Sequence, residues 1–310
     1  MTAAFRSRVI FFLPYIALSA GIISLSLSAM FVRWADAPGP ITGFYRQVFA
    51  ILFLSPIFFF RKINIHKIKM KHFVFPILTG IASGCDLGIW SSSLSYTTAS
   101  NATLISNTAP VWVALAGFFF FHERLNRFFW AGLVFAMSGA MLIMGSDFFL
   151  HPRFGIGDLM AFSSSFFYAG YFLATERGRK FLDPLTFTWV MSIFAALTLL
   201  VINFGLKYPL TGYSPQTWFI FIVAAFVSQI IGYTSLSYSL GHLPATIVSP
   251  TMLGQPVLTT ILAIPLLGEI PHLIQATGGV ITLIGIYIVN QAHANSKRST
   301  QDRDELNETG

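Results

Sequence analysis

Ser106-Asn107-Thr108-Ala109-Pro110-Val111 and, 146 residues further on, Met252-Leu253-Gly254-Gln255-Pro256-Val257 are two stations at which the chain repeats itself. At the same offset Ser93-Leu94 falls on Ser239-Leu240, Ala99 on Ala245, Glu123 on Glu269, Gly132 on Gly278 and Gly139 on Gly285. Earlier in each half an offset of 144 superposes Arg33 on Arg177 and Pro40 on Pro184. Each match alone is weak. Their placement at corresponding points of two halves is what a duplication predicts and chance apolar similarity does not.

The segments around these stations are apolar and long. Of 310 residues 55% are hydrophobic and 10% charged, against about 25% charged in a soluble domain. No single core hides that much apolar surface from water, whereas a bilayer leaves it in place. Runs of about 20 apolar residues, each able to cross a hydrocarbon layer of roughly 30 Å, recur ten times. They cover 10–32, 41–60, 73–93, 99–121, 128–146, 156–175, 185–205, 216–236, 245–267 and 274–291. The first, preceded by Arg6 and Arg8, is longer than the apolar region of a signal peptide, and nine more spans follow it. The predicted fold class is all-α integral membrane, ten transmembrane helices forming two five-helix repeats. Residues 1–9 are an N-terminal segment, 10–146 and 147–291 the repeats, and 292–310 a polar tail of mixed charge, expected to be disordered.

The net charge of +7 is not the footprint of a nucleic-acid binder, because the basic residues sit in the gaps between spans. With the N-terminus inside, 15 of the 19 Lys and Arg fall in inner segments; Arg33, Arg153 and Lys207 lie outside and Arg46 within a span. That bias puts both termini in the cytoplasm. The stretch Arg61-Lys62-Ile63-Asn64-Ile65-His66-Lys67-Ile68-Lys69-Met70-Lys71 reads as a topology determinant, with anionic-lipid binding as the alternative. Five spans per half is an odd number, so the second half runs the other way up and the repeats are inverted. Inverted repeats place a solute site near the midplane between the halves and permit alternating access. The single Cys85 excludes an intrachain disulfide and a cysteine-rich zinc site.

The ten spans, the duplication, the run Ser106–Val111 leading to His122-Glu123-Arg124-Leu125, and Gly254-Gln255-Pro256-Val257 leading to Leu267-Gly268-Glu269 resemble the drug/metabolite transporter superfamily, EamA-like branch. The resemblance covers roughly 13–291 and departs after Glu269, where Ile270-Pro271 replaces a basic residue. It implies a carrier in the bacterial inner (cytoplasmic) membrane, with a central cavity from the first four helices of each half and the fifth helices packed outside. Members move amino acids, nucleotide-like metabolites, pigments and drugs. The motif makes Pro110, Glu123, Pro256 and Glu269 structural landmarks.

Two ionisable groups other than His lie well inside spans. Arg46 and Asp86 come out at similar depths, roughly 7–11 Å from the outer boundary on a 1.5 Å rise, so they are expected to meet as an ion pair or to share a wet cavity. In function, Asp86 is a proton acceptor or an ammonium partner and Arg46 an anion clamp; in structure, the pair pins two helices. Polar and aromatic residues gather where spans three and four meet: Trp90, Ser93, Tyr96, Asn101 and Asn107. Gln229, Tyr233, Tyr238 and Gln255 answer them in the second half, and span six adds Ser163, Ser164, Ser165, Tyr168 and Tyr171. Asp86, Trp90, Ser93, Tyr96, Asn101, Asn107, Tyr168, Gln229, Tyr233 and Gln255 are the predicted solute-binding set. Ser19, Ser24, Ser26 and Ser28 of span one line the path or pack. Pro110, Pro250, Pro256 and Pro265 interrupt spans four and nine, with Pro110 and Pro256 as helix kinks. Gly80, Gly84 and Gly88 recur every four residues, as do Gly132, Ala136 and Ala140; both rows read as packing seams, the second also as a candidate homodimer seam.

A secondary carrier of a small organic solute follows, with the bilayer and that solute as its partners and no cofactor. The expected solute is an amino acid or related metabolite, exported; a broad drug exporter is the alternative. An intramembrane enzyme would need a nucleophile with its base or a metal cluster, and neither is visible. A receptor would carry a large soluble domain, and ATP-driven transport a phosphate-binding loop.

Overall fold

A computed structural model describes residues 3–60, 69–144, 155–268 and 271–308; residues 61–68 of the basic stretch and Glu269-Ile270 lie outside them. The described residues are helical, with no strand. The helices are α1 (Ala3–Ser26), α2 (Ser28–Trp34), α3 (Gly39–Phe60), α4 (Val74–Ser93), α5 (Ala99–Ser106), α6 (Ala109–Phe120), α7 (Arg127–Met144), α8 (Ile156–Gly178) and α9 (Pro184–Gly205). After them come α10 (Pro215–Ala224), continued by a π-helical stretch Ala225–Tyr233, then α11 (Thr234–Leu240), α12 (Ala245–Thr251), α13 (Gly254–Leu267) and α14 (Leu273–Glu308).

Eight segments are helices long and apolar enough to cross a membrane: Phe12–Trp34, Met70–Ser93, Asn101–Phe120, Arg127–Met144, Pro184–Gly205, Pro215–Leu240, Ala245–Leu266 and Leu273–Asn295. Two more helices are of comparable length, α3 with 22 residues and α8 with 23. The surface is turned inside out relative to a soluble protein. Ile16, Leu52, Val134, Val201, Phe219, Leu283 and Tyr287 are all at least half exposed, while Thr79, Gln47, Ser164, Ser192 and Gln229 are fully buried. Such a pattern suits an apolar solvent.

Local chemistry starts the helices. Asp183 caps α9, accepting the Leu185 and Thr186 N–H groups, with Pro184 at the first turn. Ser214 caps α10 ahead of Pro215, and Thr98 caps α5. Asp158 accepts the Gly155 N–H at 2.8 Å and the Thr97 hydroxyl at 2.7 Å, tying the start of α8 to the turn after α4. Caps of this kind satisfy N–H groups that the helix itself leaves open.

Two corrections concern interruptions and ends. Pro110 and Pro256 do not kink continuous helices. The chain breaks at 107–108 and again at 252–253, and each proline lies in the first turn of the half-helix that follows, where its missing N–H costs nothing. The second half-helices also stop alike: His122 has φ +54° just past α6 and Gly268 has φ +69° just past α13. A left-handed residue is a common helix terminator. The last helix continues to Glu308, where the sequence predicts a disordered tail from 292; Gln, Arg, Glu and Lys in that segment are good helix formers.

Small residues decide which helices touch. A methyl group added at Gly80 would lie 2.7 Å from Phe194 Cβ, and one at Gly84 2.6 Å from Thr198 Cβ, so this row seats α4 against α9. The row Gly132, Ala136 and Ala140, with Gly139 beside it, is covered by α14 of the same chain: Gly132 meets Gly285 and Val289, Ala136 meets Gly285, Ala136 and Ala140 cluster with Ile286, and Gly139 meets Gly278 and Thr282. It is therefore an internal seam and not the homodimer seam read from the sequence. Residue numbers rise along α7 as they fall along α14, so the two helices are antiparallel.

Candidate functional site

The breaks and junctions converge. Where α1 gives way to α2, the freed Leu25 carbonyl accepts Gln255 Nε2 at 3.1 Å and the Ser26 carbonyl accepts the Thr259 hydroxyl at 3.1 Å. Ser26 Oγ in turn donates to the Gln255 carbonyl at 3.2 Å. At the end of α5, Asn107 Nδ2 donates to the Thr103 carbonyl at 2.8 Å. Backbone carbonyls beside the interruptions thus take up side-chain donors, as suits an apolar surrounding.

Between these elements lies a cavity of about 480 Å³. Ser28, Val32 and Arg33 of α2, Arg46 of α3 and Asp86, Leu87 and Trp90 of α4 form one part of its wall. Thr103, Ser106 and Asn107 at the α5 break, Ile143 and Met144 at the end of α7, and Tyr168 of α8 form another. Tyr233, Gln255, Pro256, Thr259 and Thr260 complete it. Arg33 and Met144 stand at helix ends, so the cavity extends from the middle of the bundle toward one end of it.

Arg46 and Asp86 share this cavity without bonding to each other. Arg46 is 4% exposed; its Nη1 donates to Ser28 Oγ at 2.9 Å, its guanidinium lies 5.6 Å over the Tyr233 ring, and its Nε has no partner. Asp86 Oδ1 accepts the Ser164 hydroxyl at 2.6 Å, and Ser164 Oγ lies 3.0 Å from Ser106 Oγ. Of the two arrangements expected from their depths, an ion pair or a shared cavity, the geometry has the shared cavity, with a separate hydroxyl contact at each charge. A guanidinium and a carboxylate face one space, walled by Trp90, Tyr168 and Tyr233.

Of the predicted binding set, Asp86, Trp90, Asn107, Tyr168, Tyr233 and Gln255 line the cavity, and Ser93, Tyr96, Asn101 and Gln229 do not. Ser93 is buried and its hydroxyl bonds back to the Trp90 carbonyl at 2.6 Å. Tyr96 is 65% exposed in the turn beyond α4. Asn101 is buried in the first turn of α5. Gln229, in the π-helical stretch, accepts from Gln47 and donates to Ser192, each at 3.2 Å, bridging α3 and α9 away from the cavity. Thr103, Ser106, Thr259, Thr260 and Arg33 were missed. Their signal was spacing: Thr103, Ser106 and Asn107 share one helical face, and Thr259 follows Gln255 by one turn.

A multi-pass helical membrane protein with a cavity open toward one end of its helix bundle is the class that these features define. The family model described as EamA-like transporter family matches residues 12–145 and 155–291, and the chain belongs to this family: it is a membrane transporter. An uncharacterized transporter of Archaeoglobus fulgidus is 30% identical over 205 residues, 63% of this chain and 68% of that one. An uncharacterized transporter of Bacillus subtilis, YdfC, is 27% identical over 190 residues, 60% of each chain. A solved structure, titled only as the crystal structure of a protein, shares the fold with a TM-score of 0.73 at 16% identity, covering 89% of this chain and 96% of its own.

Proposed function

We propose that this transporter is a secondary active carrier that exports a small organic metabolite, an amino acid or related compound, across the cytoplasmic membrane by alternating access. The observation that carries the reading is the cavity in which a guanidinium and a carboxylate, unpaired with each other, face one volume. A solute bearing both an anionic and a cationic group matches it, with Arg46 as carboxylate clamp and Asp86 as ammonium partner or coupling group.

The architecture proposed for it is ten spans in two inverted five-helix halves, both termini cytoplasmic. Three features support it. The α5–α6 and α12–α13 breaks fall at corresponding positions, and His122 and Gly268, 146 apart, both terminate their helices with positive φ. The α7–α14 seam consists of two glycine contacts, Gly132 with Gly285 and Gly139 with Gly278, that exchange when the halves are swapped. The antiparallel course of α7 and α14 is what inversion demands.

The test is uptake by proteoliposomes holding the purified protein, with labelled amino acids, nucleosides and amphipathic cations, with and without an imposed pH gradient. Saturable uptake of amino acids is expected. Saturable uptake of the amphipathic cations alone would favour the drug exporter, and none of any class by folded protein would overturn the autonomous carrier.

A further inference from the structure

The cavity reaches one end of the bundle and, toward the other, stops at Tyr168 and Tyr233. Beyond that floor the polar character continues. Along α8, Tyr171 and Thr175 follow Tyr168 on one face at helical spacing, and Arg179 follows the helix end. Tyr171 and Thr175 are 1% and 0% exposed, and the Tyr171 hydroxyl has the Thr175 side chain as its polar neighbour. Across from them Ser237 of α11 is 2% exposed. The two faces meet at both limits: the Tyr171 and Tyr233 rings lie edge to face at 5.6 Å, and Arg179 Nε donates to the Ser237 carbonyl at 2.9 Å. Three buried hydroxyls on facing helices thus continue the line of the cavity as far as a guanidinium.

A clasp holds this region shut. Glu176 of α8 accepts the Ala245 N–H at 2.9 Å, and Glu123, just after α6, accepts the Thr246 hydroxyl at 2.6 Å. Both carboxylates therefore grip the start of α12. That short helix leads through the break at 252–253 into α13, whose Gln255 and Thr259 line the cavity, so the clasp and the solute wall belong to one stretch of chain.

We propose that the facing surfaces of α8 and α11 are the closed half of the solute path, and that Glu123 and Glu176 on α12 form the latch that keeps it closed. The proposal rests on the carrier reading. Its hydroxyl lining, with a guanidinium at the mouth, suits a hydrated polar solute. When the latch opens, Tyr171, Thr175 and Ser237 gain water while the opposite opening closes.

The experiment reads accessibility, independent of solute. In a Cys85→Ser background, Thr175→Cys reports the closed face and Thr103→Cys the open cavity, each labelled with a membrane-impermeant thiol reagent applied from either side. With Glu123→Gln and Glu176→Gln together, Thr175→Cys should react about tenfold faster from the Glu123 side, and Thr103→Cys correspondingly slower from the other. Thr246→Ala, which removes one latch contact without changing charge, should move both reporters the same way; a monodisperse elution profile with unchanged helical circular dichroism reports folding. Thr175→Cys still protected in both folded latch variants would overturn the inference, and with solute uptake intact it would do so without touching the carrier reading. Exposure of Thr175→Cys with no uptake of any solute would keep the path and sink the carrier.

Discussion

Asp86 and Arg46 are the residues on which the chemistry turns, and both stood out in the sequence because a charge inside an apolar run is rare and costly. Each is held by one hydroxyl, Asp86 by Ser164 and Arg46 by Ser28. A hydrogen bond to a charged group contributes about 1.5–3 kcal/mol, so losing the charge that meets the solute costs about tenfold or more. Asp86→Asn is expected to slow transport by that factor and to abolish its response to an imposed pH gradient; an unchanged rate at every gradient would remove Asp86 from coupling. For Arg46→Gln the expected change is a rise of similar size in the half-saturating solute concentration, measured in the same vesicles. The hydroxyl lining was harder to read, because Ser and Thr occur on every side of membrane helices and nothing in their type says which side is wet. Tyr96, Ser93, Asn101 and Gln229 were placed in the site for the same reason: composition marks a neighbourhood, while a turn of the helix decides the direction.

At the scale of elements, glycine spacing predicted contact better than hydrophobicity did. An alanine methyl at Gly132 would lie 2.8 Å from Val289 N and 2.9 Å from the Gly285 carbonyl, both backbone atoms that cannot swing aside. Gly132→Ala should therefore wedge α7 from α14 and cost about 1–3 kcal/mol, seen as a lowered thermal midpoint in detergent. At Gly170 the nearest atom is Ala82 Cβ at 3.9 Å, and Gly170→Ala should leave the midpoint unchanged or raise it. Equal midpoints for the two variants would remove the seam from the stability of the fold. The sequence showed that these rows were seams but not what filled them, since a small-residue stripe fits a neighbour in the same chain or a second copy equally well. The prolines were legible as interruptions; that they open half-helices, instead of bending whole ones, depends on the unwound residues before them.

For the whole molecule, the repeat and the basic residues make an orientation testable without knowing the solute. Fused at the C-terminus, green fluorescent protein should fluoresce and alkaline phosphatase should stay inactive, both signs of a cytoplasmic end; the reverse pair would invert the proposed topology. The helical membrane class was legible because apolar runs of spanning length have few other uses. A central cavity was expected from the repeat, but its full lining was not legible, since it depends on how α2, α5 and α13 converge through their breaks, which no single segment encodes.

The π-helical stretch Ala225–Tyr233 lies in an interval where the two halves differ in length. Pro40 and Ser93 are 53 residues apart, but their counterparts Pro184 and Ser239 are 55 apart. A π turn is one way a helix absorbs a surplus residue without breaking. In an ordinary α-helix one residue more or less rotates everything downstream by about 100°, and Tyr233 is where this stretch ends. The wider winding of this stretch is thus what aims an aromatic ring at the guanidinium of Arg46. Deleting one residue of it should return the segment to α-helical pitch and turn that ring away, leaving the cavity without one of its walls.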